Sequence, residues 1–257
     1  MTRTIASTIA LSVGLTLGTT AYAAPITVSG TGNGSFSNLK GVQDPEWFFD
    51  DPEFAEIRDA DNGTNNQVVW GQSGSCSLFG CIEEDVSTLT AVNTPFSVMV
   101  PPDQSGVQVG TLEWFNASTN ADSTPNEFTT DFEFGVTFTD PSNQTDTANF
   151  TLEITNTGNP GADTTSGLTV TPLDGLNFAL PNIDVSNVSF SLVGPGSFDS
   201  GSGLWTNNEE TTSEMAIVAD FKSTSTPIQE VPTPATLWLL GAGLLSLGTA
   251  AHRRYRA

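Results

Sequence analysis

Between Ala24 and Glu230 the apolar residues recur at every second position, not at the third and fourth positions that a helix would require. From Asp131 to Thr139, the residues Phe132, Phe134, Val136 and Phe138 alternate with Glu133, Gly135 and Thr137. Phe150, Leu152 and Ile154 repeat the pattern, as do Val188, Phe190 and Leu192. A period of two places one set of side chains on each face of a strand, so these segments predict strands with one face in a core and one in water. Gln67 to Trp70, Phe96 to Val100, Val107 to Phe115, Gly167 to Val170, Leu176 to Leu180 and Ala216 to Phe221 are further predicted strands. Turn-forming stretches such as Pro101-Pro102-Asp103, Asp140-Pro141-Ser142-Asn143 and Gly194-Pro195-Gly196 separate them. Strands of this kind joined by turns predict an all-β chain: a single antiparallel β-sandwich or jelly-roll-like domain over residues 24–229. A helical turn is predicted only near Pro45 to Ile57, and no repeat of fixed period suggests a propeller or solenoid.

The two ends depart from this pattern. Arg3 precedes an uncharged run from Thr4 to Leu17, and Ala21-Tyr22-Ala23 supplies small residues at the positions a signal peptidase accepts. Residues 1–23 are therefore expected to be a secretory signal peptide cut after Ala23. At the other end no charge occurs from Val231 to Ala251, and His252-Arg253-Arg254-Tyr255-Arg256 follows. An apolar helix over residues 235–251 is just long enough for a bilayer of about 30 Å, with the arginines on its cytoplasmic side.

Charge sharpens the picture. The 257 residues carry 29 acidic and 7 basic side chains. Four of the basic residues, Arg3, Arg253, Arg254 and Arg256, lie in the terminal segments. The body is left with Lys40, Arg58 and Lys222 against all 29 acids, a net charge of −26. Such a surface repels phosphate backbones and attracts cations, so nucleic acid is a poor partner and Ca2+ a good one; adaptation to a salty habitat is the other reading of the same acidity. His252 is the only histidine, so the body has no imidazole for Ser-His-Asp or Cys-His catalysis or for a His-based zinc site.

The segment Val231-Pro232-Thr233-Pro234-Ala235-Thr236, followed by the apolar helix and the Arg253-Arg254 cluster, resembles the PEP-CTERM sorting signal of Gram-negative bacteria, with Thr233 where the usual core carries Glu. The resemblance implies that an exosortase cuts near Pro234. The inner membrane is then a transient partner, and the body passes to the cell surface or the extracellular matrix. A permanent single-pass anchor is the other reading of residues 230–257.

The body resembles the choice-of-anchor K domain family. The likeness rests on Gly30-Thr31-Gly32-Asn33-Gly34-Ser35-Phe36, Val69-Trp70-Gly71, Val109-Gly110-Thr111-Leu112-Glu113-Trp114-Phe115-Asn116, Ile154-Thr155-Asn156-Thr157-Gly158-Asn159 and Leu204-Trp205-Thr206-Asn207-Asn208-Glu209. Glu113-Trp114 stands where a Thr-His pair is expected in many relatives. The family implies an extracellular all-β module of undetermined activity and assigns no catalytic residues.

Four constellations carry candidate chemistry. Cys76 and Cys81 enclose four residues and are expected to form one disulfide in an oxidising compartment. Asp59, Asp61 and Asn65 place oxygen ligands around the Gly63 bend, as calcium loops do, although Gly63 takes a ligand position and no Glu closes the loop. A solvated Asx-rich turn is the alternative there. Trp114 and Trp205, with Trp47 and Trp70, are either core residues or a platform on which sugar rings stack. Glu83, Glu84, Asp85, Glu209 and Glu210 leave a two-acid glycoside hydrolase open. The expectation is a non-enzymatic, exported protein of the cell surface or matrix, associated with exopolysaccharide and bridged by Ca2+. A carbohydrate-binding module is the alternative.

Overall fold

The largest sheet has, one place in from an edge, a strand with glycine at three successive inward positions. In the computed structural model, which describes residues 24–42, 55–60, 64–71, 76–77, 80–81, 86–119, 125–157 and 161–225, this strand is β1 (Ile26–Lys40). The chain continues through β2 (Ala55–Arg58), β3 (Gln67–Trp70), β4 (Cys76–Ser77), β5 (Gly80–Cys81), β6 (Ser87–Val92), β7 (Thr94–Val100) and β8 (Gln104–Asn116). It then forms β9 (Glu127–Asp140), β10 (Gln144–Thr155), β11 (Ala162–Ser166), a single 3-10 turn (Leu173–Gly175), β12 (Ile183–Val193), β13 (Ser197–Asp199), β14 (Leu204–Asn208) and β15 (Thr211–Ser223).

Two antiparallel sheets pack face to face. One has seven strands in the order β13-β14-β11-β10-β9-β1-β7, the other six in the order β12-β15-β8-β6-β3-β2. The fold is an all-β antiparallel sandwich, as the alternation of residues predicts, and residues 24–225 form one compact unit. Among the described residues no helix is long and apolar enough to cross a membrane. The signal-peptide segment 1–23 and the apolar segment 235–251 lie outside the described residues.

The core is aromatic. Phe36, Phe132 and Phe150 stand side by side on β1, β9 and β10, with ring centroids 5.1 and 5.7 Å apart. Phe190 of the opposite sheet continues the row against Phe150. At one end Trp70, Trp114, Trp205 and Phe128 meet edge to face or tilted. At the other, Phe138 meets Phe96, Phe178 and Phe221 edge to face, and Phe96 stacks on Phe221. Where β1 crosses β8 there is no space for side chains: a Cβ on Gly32 would lie 1.8 Å from the Val109 carbonyl oxygen. The glycines of β1 let the two backbones approach closely.

Three predictions of local structure are corrected. Gly167–Val170 is a turn, not a strand: Gly167 takes φ +98°, Thr169 N–H bonds back to the Gly167 carbonyl, and Leu168 N–H reaches Gly203. Leu176–Leu180 is extended but joins no ladder. The Gln144 side chain pairs with both the N–H and the C=O of Ala179, and Asp146 accepts Asn177 N–H, so two side chains stand in for a neighbouring strand. Of the helical turn expected near 45–57, the described part, from Ala55, is strand β2. It pairs with β3, Ala55 opposite Trp70 and Ile57 opposite Val68. Residues 43–54 lie outside the described residues.

Candidate functional site

The outward positions of β1, β9 and β10 form an ordered polar array. Register places Thr31, Thr137 and Thr145 in one row, Asn33, Gly135 and Thr147 in the next, and Ser35, Glu133 and Asn149 in the third. The rows follow from the same alternation that sends Phe132, Phe134, Val136 and Phe138 inward. Thr137 and Thr145 hydroxyls bond each other at 3.0 Å. The central position has no side chain. Gly135 is thus the floor of a depression of about 390 Å3, walled by Asn33, Ser35, Glu133, Thr137, Thr145 and Thr147, with Thr64 at its rim.

A second hollow of about 230 Å3 adjoins it on the far side of Asn33 and Gly34, between Thr31, Thr64, Asn66, Ala91 and Asn93. Its cause is a gap in the ladder. The pairing of β1 with β7 stops at Gly32 opposite Thr94, and the next backbone bond along that edge runs from Phe36 N–H to the Asn65 carbonyl. Asn33, Gly34 and Ser35 lie in the interval. Together the two hollows form one saddle across Asn33, lined by carboxamides, hydroxyls and one carboxylate.

The loop expected to hold calcium borders this saddle. Asn65 adopts φ +50° and its carbonyl holds Phe36 of the larger sheet, while the Asn66 carbonyl holds Ala91 N–H of the smaller one. Buried Asn66 adds a bond from its Nδ2 to the Ala91 carbonyl and accepts Ala60 N–H. The loop is therefore a clasp between the sheets. Asp59 and Asn65 are exposed, and Asp61 lies outside the described residues. Among the described residues no three His, Cys, Asp or Glu side chains converge on a point.

The tryptophan platform is corrected. Trp114 and Trp205 are completely buried, with ring centroids 5.1 Å apart and edge to face, and Trp70 is buried beside them. Neither presents a face to a sugar. Trp114 shares the inward parity of Leu112 on β8, and Trp205 stands opposite buried Thr165. Beneath the indoles is a buried polar girder that residue alternation does not reveal. Asn207 donates to the Trp114 and Thr211 carbonyls and accepts the Thr211 hydroxyl. Asn116 donates to the Asn207 carbonyl and accepts Ser87.

The remaining predicted residues are dispersed. Glu209 accepts Gly161 N–H and Glu210 accepts Ser118 N–H, each fastening a loop to the β14–β15 turn. Glu83, Glu84 and Asp85 lie outside the described residues. Backbone pairing sets Cys76 directly opposite Cys81 in the β4–β5 ladder, within the span a disulfide bridges. The processing positions Ala23, Val231, Pro232, Pro234, Arg253 and Arg254, and also Trp47, lie outside the described residues.

Carboxylates flank the array. Glu127 and Glu153 on neighbouring strands β9 and β10 share a hydrogen bond, and the neighbouring carboxyl holds Glu127 above its ordinary pKa. Asp131 accepts Asn38 and Thr151, which lowers its pKa. No family model matches the chain, and a search of curated proteins finds no match.

Proposed function

We propose that this chain is an exported, non-enzymatic protein of the bacterial cell surface or extracellular matrix, associated with exopolysaccharide. In this proposal signal peptidase removes residues 1–23, and exosortase cuts near Pro234 to free the body from its membrane helix. The likeness of 231–257 to a PEP-CTERM signal and of the body to choice-of-anchor K modules supports that route.

The observation that carries the adhesive part is the outer face of the seven-stranded sheet. It presents rows of hydroxyls and carboxamides across three strands, with Glu127 and Glu153 on neighbouring strands at one border. Neighbouring like charges repel, and a divalent cation between them, or between them and an acidic polymer, relieves the repulsion. The rigid aromatic core holds that face in shape. Glu209 and Glu210 serve as loop fasteners, which supports a binding role over hydrolysis.

The test is release. Cells or matrix washed with a chelator should shed the protein, and the purified body should melt at a lower temperature without Ca2+. If neither release nor melting responds to chelator, the cation bridge is wrong. If the protein is found in the cytosol, the export reading is wrong.

A further inference from the structure

We infer that the saddle centred on Gly135 and Asn33 binds an uncharged polyhydroxylated chain, a neutral polysaccharide, directly and without a metal ion. This rests on the reading of the protein as a matrix component and names the polymer class that reading leaves open.

The lining decides the chemistry. Asn33 and Asn93 offer carboxamides, the buried Asn66 amide being committed to Ala60 and Ala91, and Thr31, Ser35, Thr64, Thr137, Thr145 and Thr147 offer hydroxyls. Each of these groups both donates and accepts, which is the pattern sugar hydroxyls need. Threonine methyls supply small apolar patches for ring C–H groups, while among the described residues no aromatic side chain lines either hollow. An apolar ligand therefore has little to bury against. Among the described residues no Lys, Arg or His lines the saddle, and Glu133 is its one charge, in a body of net charge −26. A polyanion meets repulsion there and no compensating cation.

A peptide strand is also a poor fit. Adding a strand to a sheet requires a run of open backbone groups. At the saddle the open edge of β1 is the short run Asn33-Gly34-Ser35, between the last β7 pair at Gly32 and the bond from Phe36 N–H to the Asn65 carbonyl. A chain of sugar rings needs no such run. It can lie over Asn33, with one ring in the pit above Gly135 and the next between Asn66 and Asn93.

Gly135 gives a specific test, because its substitution fills the pit with little strain. It is absent from the glycines of positive φ. A Cβ there meets the movable Asn33 Oδ1 at 2.9 Å and Thr147 Cγ2 at an ordinary 3.6 Å. Gly135→Thr completes the array. The mature protein would be run through native gels containing hydroxyethyl cellulose, dextran or galactomannan, each with and without chelator. Retardation by at least one polymer, unchanged by chelator, is expected. Gly135→Thr should bind about tenfold more weakly at an unchanged melting temperature, the equivalent of one or two lost hydrogen bonds. If Gly135→Thr melts early, Asn33→Ala, an exposed change, carries the same expectation. Glu133→Gln should retain binding.

Free migration of the wild-type protein in all three gels overturns the inference. So does undiminished retardation of folded Gly135→Thr, or retardation that chelator abolishes. Those outcomes leave the matrix reading standing. That reading fails separately, if the protein is found in the cytosol.

Discussion

Asp163 accepts both the backbone N–H and the hydroxyl of Thr157 on Oδ1, at 2.8 and 3.3 Å, while its Oδ2 is buried without a hydrogen-bond partner among the described residues. Burial pushes its pKa up to about 6, the Thr157 bonds pull against it, and nearby Glu209 adds to the rise. The folded state thus holds the proton more tightly than the unfolded chain. Asp163 favours folding most below pH 4, and that contribution is lost as pH rises through about 6. A rise of that size above the ordinary aspartate value corresponds to about 2–3 kcal/mol. Asp163→Asn, which carries no titratable proton, should gain stability relative to wild type between pH 5 and pH 7.5 in urea unfolding. A stability difference that is constant with pH would refute the assignment.

The girder under the tryptophans should be costly to break. Asn207→Ala leaves the Trp114 and Thr211 carbonyls without their donor in a buried site. A loss of roughly 2–4 kcal/mol is expected from the unpaired groups. Thermal or urea unfolding measures it, and a loss within about 0.5 kcal/mol, the range of ordinary surface changes, would show that the network carries no stability.

Trp205→Ala should destabilise the sandwich by about 3–5 kcal/mol, as removal of a fully buried indole does. Any sugar binding per folded molecule should persist, because the indole has no exposed surface. Loss of binding in a variant that remains folded would return the tryptophans to the ligand site.

Much of this architecture is legible in the residues, and the exceptions have physical reasons. Strands β9, β10 and β12 announce themselves because their inward positions are mostly large and their outward ones polar, and β15 because Met215, Ile217 and Phe221 fall on one face. Strand β1 escapes such a reading because Gly30, Gly32 and Gly34 occupy inward positions, and an alternation of glycine with polar residues has no hydrophobic contrast. The burial of Trp114 can be read from its parity with Leu112, since residues two apart share a face. Gly135 is visible as the one outward position of its strand without a side chain. That it forms a pit depends on Asn33 and Thr147 standing beside it, which only strand register fixes. The false strands at Gly167–Val170 and Leu176–Leu180 share their composition with true ones. Their hydrogen bonds go to a turn and to the Gln144 and Asp146 side chains, which local pattern does not encode.

The cysteine pair makes a separate prediction. Opposed in the β4–β5 ladder, Cys76 and Cys81 should be unreactive to alkylation unless the unfolded protein is first reduced. A loop this short contributes about 2 kcal/mol, so reduction should lower the melting temperature only modestly. Rapid alkylation of the unreduced chain would contradict the pairing.

The central claim is that the acidic sandwich leaves the cell interior and is separated from its apolar tail. Intact-mass spectrometry of the protein purified from its native source tests it most directly. The account predicts a species beginning at Ala24 and ending close to Pro234. A mature species that retains Arg253, Arg254 and Arg256 would contradict it.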